Sequence, residues 1–264
     1  MARESGPDFI EALARGLDVL RSFPPGQPVR TLSDLAGATG LARPTVRRIL
    51  LTLEELGYVR VADRGYALTP RVLELGMAYV TSLSMWDVAR PHMERLVAQT
   101  NESTSMAQLD GSDIVYVARV AVPKIVTLAV TIGTRFPAAA TSMGKVLLAA
   151  LPPDALAAAL AEPSRSGITP RRQPSREELD RSLREVRAKG WALTDQDLAP
   201  GIRSIATAVR DGDGQVVAAV NVTVHAAETS VERLTEEHLP RLLRCAADIS
   251  HDWSLMNAVP LAVR

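Results

Sequence analysis

The sequence predicts an α+β protein: an N-terminal winged helix-turn-helix domain, a linker helix, and a C-terminal α/β domain of the GAF-like type. Three observations predict it. Three helical periods with short turns between them, followed by a hairpin pattern, occupy the first 70 residues. Short alternating strands mixed with helical segments occupy the remainder. The length of 264 residues, with 47% hydrophobic and 23% charged, suffices for two ordinary cores.

The first element is a helix over Asp8–Phe23, where Ile10, Leu13, Leu17 and Leu20 recur at helical spacing and Phe9 and Val19 widen the stripe. Pro24, Pro25 and Gly26 stop it. Thr31 with Asp34 three residues later reads as a capping box opening a short helix to about Ala38. Thr39-Gly40-Leu41 is a tight turn, and Pro44 suits the first turn of a third helix that ends at Gly57. Tyr58–Ala62 and Tyr66–Thr69 pair as a hairpin across Asp63-Arg64-Gly65. A helix follows over Arg71–Leu83 and another over Trp86–Thr100, with the domain boundary near residues 80–86.

In the second half, Thr104–Leu109 and Ile114–Val122 flank the turn Asp110-Gly111-Ser112-Asp113, and Val126–Ile132 reads as a third strand. Helices are expected over Ser142–Leu151, Asp154–Leu160 and Ser175–Lys189, the last laced by Glu177/Arg181, Asp180/Arg184 and Glu185/Lys189. Trp191–Thr194, Ile205–Arg210 and Val216–Val224 are expected strands, and Ser230–Trp253 a closing helix.

Composition narrows the function classes. A single cysteine, Cys245, rules out an internal disulfide framework. No apolar h-region follows Met1–Gly6, and Pro152, Pro153 and Asp154 break the most apolar stretch, Val146–Ala161, so a cytoplasmic chain without a membrane partner is expected. Gly144-Lys145 resembles the end of a phosphate-binding loop, but Ala139 stands at its leading glycine and Val146 where Ser or Thr would bind magnesium. The four histidines show no metal-ligand spacing and no G-x-S-x-G elbow occurs, so no enzyme, no metal and no cofactor are expected.

A zero formal net charge hides a local surplus. Between Leu41 and Arg71, six arginines face only Glu54, Glu55 and Asp63. Arg43, Thr45, Arg47 and Arg48 lie in the first turns of the third helix, and Arg60 and Arg64 lie on the hairpin. Arginine there can take guanine bidentately or grip phosphate, and a threonine methyl can touch thymine. Solvated arginines on a helical domain that makes only protein contacts are the alternative reading.

At this point the segments EALARGLDVLRSF, LSDLAGATGLARPTVRRILLTLEELGYV, AAATSMGKVLLAALP and DQDLAPGIRSIATAVRDGDGQVVAAVNVTVHA resemble the IclR family of bacterial transcriptional regulators, over about residues 8–253. The phrases TDQDLAPGIRSIA and AAVNVTVHA look most like the subgroup controlling aromatic-acid breakdown through protocatechuate and β-ketoadipate. The resemblance implies a DNA-binding domain over 8–70, a linker helix over 71–85 and an effector-binding domain over 86–256. It implies a double-stranded DNA operator, a homodimer or dimer of dimers, and a small organic acid effector of the protocatechuate, 4-hydroxybenzoate or β-ketoadipate class. Carried over by motif, the effector pocket would take Ser142, Met143, Asp195, Ile202, Ser204, Asn221 and Thr223. Arg203 could neutralise a carboxylate there, although its alternation with Ile202 and Ser204 leaves its direction open. Where many members have a cysteine this chain has Ser204, and Met143 replaces a small residue, which favours a flat or six-carbon acid over a two- or three-carbon one.

Overall fold

The computed structural model describes residues 6, 8–24, 26–75, 85–123 and 130–258. Contacts divide the chain into two units, Met1–Leu83 and Ser84–Arg264, each with its own core.

In the first unit, α1 (Glu11–Arg21), α2 (Leu32–Thr39) and α3 (Arg43–Glu55) enclose Val19, Leu35, Val46, Leu50, Leu53 and Val59, all buried. The capping box is formed: Thr31 Oγ1 accepts from the Asp34 amide at 3.2 Å, and an Asp34 carboxylate oxygen accepts from the Thr31 amide at 3.0 Å. That amide bond is the main cause holding the Asp34 carboxyl below its ordinary value. Gly40, at φ 68°, closes α2 in the left-handed region and swings the chain into α3. β2 (Val59–Ala62) and β3 (Gly65–Leu68) form the expected hairpin, and β1 (Val29–Arg30), a strand too short to read from sequence, pairs with β3 on its other side. Residues 72–75 begin a helix after Pro70; the rest of the expected linker helix lies outside the described residues.

The second unit is a six-stranded antiparallel sheet in the order β6-β5-β4-β9-β8-β7. Its strands are β4 (Ser103–Asp110), β5 (Asp113–Val120), β6 (Arg135–Pro137), β7 (Trp191–Asp195), β8 (Ile202–Arg210) and β9 (Val216–His225). α4 (Met85–Thr100) and the closing helix α8 (Leu239–Ala258) pack on one side of the sheet. α5 (Ser142–Ala150), α6 (Pro153–Ala161) and α7 (Arg176–Lys189) build the core on the other, around Phe136, Met143, Leu148 and Leu183. A π turn, Leu234–His238, precedes α8.

The third strand differs from expectation. Part of Val126–Ile132 lies outside the described residues, Val130–Ile132 is not strand, and the edge strand is Arg135–Pro137. A three-residue strand ending in proline carries no alternation to detect, and proline is tolerated there because it sits on an edge. Of the three ion pairs expected along α7, Lys189–Glu185 is formed at 3.7 Å, whereas Asp180 pairs with Arg176 instead.

Candidate functional site

The first candidate surface is the exposed side of α3 and the hairpin. Val46, Leu50 and Leu53 turn inward, which forces the intervening residues outward. Arg43, Arg47, Arg48, Arg60 and Arg64 are all exposed, and no carboxylate among the described residues pairs with any of them. Thr45 is half-buried. Thr45 and Arg48 also border an open groove of about 700 Å³ lined by Leu13, Leu17, Leu51, Leu56 and Leu75. Only the C-terminal part of the α1 stripe faces the core, where Val19 is buried and Leu20 packs against it, whereas Ile10 is 65% exposed and Leu13 61%.

The second candidate is a narrow cavity of about 40 Å³ between the sheet and the N-terminal end of α5. Strand register explains its lining. Thr194, Ser204 and Thr223 lie opposite one another across β7, β8 and β9, so their side chains share a face. Asn221 stands two residues from Thr223 and opposite Ser105, which in turn lies opposite Arg119. A β-bulge on β5 decides the rest. Met106 faces Ala118 but Ala107 faces Tyr116, so Val117 is the extra residue and both Tyr116 and Arg119 reach the cavity face. Strict alternation would separate them.

α5 closes the cavity from above. Thr141 caps it, its Oγ1 accepting from the Gly144 amide at 3.1 Å, and Ser142 and Met143 in the first turn line the space. The helix folds back onto the turn Ala138–Ala140 because Gly144 has no side chain: a Cβ there would lie 2.1 Å from the Ala138 carbonyl oxygen. The glycine of the apparent phosphate-loop remnant thus serves packing.

The wall is a chain of hydrogen bonds. Arg119 Nη1 donates to Ser105 Oγ at 3.0 Å, the Ser105 amide donates to Asn221 Oδ1 at 2.9 Å, and Asn221 Nδ2 donates to Thr223 Oγ1 at 3.0 Å. Ser142 and Ser204 share a hydrogen bond across the gap between helix and sheet. Met143, Phe136, Val130, Leu198 and Ile202 supply apolar surface, with Phe136 edge-on to Tyr116 at 5.5 Å. Burial pushes the Tyr116 phenol up to about 12 and lowers the Arg119 pKa from its ordinary value. No carboxylate among the described residues lies in ion-pair distance of Arg119.

Six of the eight residues expected at the pocket surround this cavity: Ser142, Met143, Ile202, Ser204, Asn221 and Thr223. Asp195 and Arg203 do not, and that expectation is corrected. β8 begins at Ile202, so alternation sends Ile202 and Ser204 to the cavity and Arg203 to the opposite face, where it lies beside Asp195. Arg203 Nε and Nη2 donate to the two Asp195 carboxylate oxygens at 3.0 and 2.9 Å, and Nη1 donates to the Thr229 carbonyl. That bidentate bond holds the Asp195 carboxyl below its ordinary range. The cation at the cavity is Arg119, which the sequence reading did not single out. An arginine inside an otherwise apolar strand was its one visible signal. Among the described residues no group of His, Cys, Asp or Glu could hold a metal ion. No helix there is long and apolar enough to cross a membrane.

Comparison with known proteins bears on both surfaces. Residues 12–63 match the "IclR helix-turn-helix domain" and residues 77–251 match "Bacterial transcriptional regulator IclR C-terminal". Over 246 residues the chain is 39% identical to the Pca regulon regulatory protein of Pseudomonas putida, covering 93% of this chain and 84% of that protein. A structure from Rhodococcus sp. RHA1 described as that of a putative transcriptional regulator superposes with a TM-score of 0.81 at 49% identity, over 94% of this chain and all of the other (100%). An IclR homolog from Microbacterium hydrocarbonoxydans, solved with 4-hydroxybenzoate, superposes with a TM-score of 0.79 at 26% identity, over 93% and 100%.

Proposed function

The chain belongs to the IclR family of bacterial transcriptional regulators, and on that premise we propose that it answers to a small aromatic acid whose carboxylate is received by Arg119. As a family member it is a DNA-binding, ligand-responsive regulator and not an enzyme. One observation carries the reading of the effector: a partly desolvated arginine with no carboxylate partner among the described residues lines a narrow cavity whose other surfaces are apolar or neutral. A half-withdrawn cation in that state favours an anion, because the anion supplies a counter-charge where water is partly excluded. The apolar side chains of Met143, Phe136 and Ile202 suit a ring, and the hydroxyls of Ser142, Ser204 and Thr223 suit its polar substituents. Protocatechuate, 4-hydroxybenzoate and β-ketoadipate are the candidates, in keeping with the Pseudomonas relative and the 4-hydroxybenzoate complex of the Microbacterium one.

On the DNA side, Arg43, Thr45, Arg47 and Arg48 enter the major groove on α3, and Arg60 and Arg64 on the hairpin hold the flanking phosphates. Two copies read a pseudo-palindromic operator in the cytoplasm as a homodimer or dimer of dimers. The exposed apolar side chains of Ile10 and of α1 (Leu13, Leu17) with Leu51, Leu56 and Leu75 offer apolar surface to a second copy. The effector acts by binding one arrangement of the DNA-reading units better than another.

Fluorescence-anisotropy titration against the DNA upstream of its own gene and its neighbours, repeated with the three acids and with glyoxylate, tests the whole reading. Salt-sensitive, sequence-selective binding shifted by an aromatic or six-carbon acid supports it. Response to glyoxylate alone overturns the effector assignment, and absence of selective binding overturns the α3 assignment.

A further inference from the structure

Lys145 is the one charged residue of α5, and the reading of the cavity leaves it unused. It is buried, with 8% of its surface exposed, and its Nζ lies 3.1 Å from an Asp197 carboxylate oxygen. Asp197 belongs to a short strap, residues 196–201, that joins β7 to β8 and carries Leu198 into the cavity wall. The strap is bent back on itself: Gln196 has φ 61° and Gly201 φ 75°, the Gln196 amide donates to the Ile202 carbonyl at 2.7 Å, and the Gly201 amide donates to Gln196 Oε1 at 3.1 Å. Its outer side is bonded through the Arg171 and Arg172 amides, which donate to the Leu198 and Asp197 carbonyls at 3.1 and 2.9 Å. Toward the cavity, the Lys145–Asp197 pair is the strap's one ion pair to α5 among the described residues. Arg172, which borders the same hollow, is committed to Glu178 at 2.7 Å and does not duplicate it.

We propose that the Lys145–Asp197 pair is a latch that holds the strap against α5, keeps Leu198 in the cavity wall, and so sets how fast an occupant leaves. Ser142 and Met143 touch the cavity one turn before Lys145 on the same helix, and Leu198 touches it one residue after Asp197. A single ion pair between the buried Lys145 and the half-buried Asp197 therefore fixes two facing walls relative to one another. Opening it leaves the buried Lys145 ammonium without its carboxylate partner, which costs more than opening an exposed pair. Lys145 and Asp197 are positioning residues, and neither lines the cavity. This inference rests on the cavity being the effector site.

The test uses the full chain and the double variant K145M/D197N, which removes the latch without stranding a buried charge, beside K145R, which keeps it. Hydrogen exchange of the ligand-free protein is measured first. In the double variant the Arg171, Arg172, Gln196 and Gly201 amides are expected to exchange about tenfold faster, with the amides of β9 and α7 unchanged. Stopped-flow dissociation of 4-hydroxybenzoate and protocatechuate is measured second. Both are expected to leave about tenfold faster, with association and effector-free DNA binding as in wild type and K145R intermediate or normal. Wild-type exchange in the strap overturns the latch, and faster exchange with an unchanged off-rate overturns its control of residence. If the wild-type chain binds none of the acids, the effector reading fails instead, and exchange in the strap alone judges the latch.

Discussion

The two surfaces handle positive charge in opposite ways. On α3 and the hairpin, five arginines stand in solvent, without carboxylate partners among the described residues and at no cost in desolvation. At the cavity a single arginine, Arg119, is half withdrawn from water, and its hydrogen-bond partner Ser105 is neutral. The first arrangement suits a polyanion reached by diffusion, where affinity grows with the number of phosphates neutralised. The second suits one small anion, where a cation already partly stripped of water makes each contact count and disfavours neutral isosteres. The number of charges matters less than the dielectric in which each waits.

The sharpest way to break this contrast is Arg119→Met. Effector affinity is expected to fall about a hundredfold, about 3 kcal/mol, in calorimetric titration, with effector-free DNA binding unchanged. A tenfold loss or less would place the carboxylate elsewhere. Next in size is Gly144→Ala, whose methyl would meet the Ala138 backbone. Unfolding by denaturant should show a loss of about 2 kcal/mol in the second unit, together with weakened effector binding as the first turn of α5 is pushed from the Ala138–Ala140 turn. On the other surface, Arg47→Ala should weaken operator binding about tenfold and lower the slope of log affinity against log salt by about 0.9, the share of one phosphate. An unchanged slope would show that Arg47 does not touch the backbone.

The smallest expected effect concerns acid. Arg203 holds the Asp195 carboxyl below its ordinary 3.8, so its contribution to stability is present above that value and disappears as the pH falls through the lowered one. Thermal melts of wild type should therefore steepen in their pH dependence below about 4, and those of Asp195→Asn should be flatter there. The Asp195 side chain is 37% exposed, so solvent screening keeps the difference modest. A flat wild-type profile would mean that the pair opens in solution.

The same contrast governs what the sequence alone determined. The DNA-reading unit is written in local signals: the Thr31/Asp34 box, the left-handed turn at Gly40, Pro44 in the first turn of α3, and the inward period of Val46, Leu50 and Leu53. Each acts within one turn of helix, so a reader of the chain sees all the atoms involved. Ser142, Ser204, Asn221 and Thr223 were legible only through the family resemblance, and strand period 2 added that Asn221 and Thr223 share a face. Two features were decided only in three dimensions. The extra residue at Val117 brings Arg119 to the cavity face, and the start of β8 at Ile202 sends Arg203 to the far side of the sheet. A bulge and a register belong to a pair of strands rather than to either one. Which face a charged side chain reaches was therefore settled by the neighbouring strand's hydrogen bonds, up to 116 residues away in the case of Ser105 and Asn221.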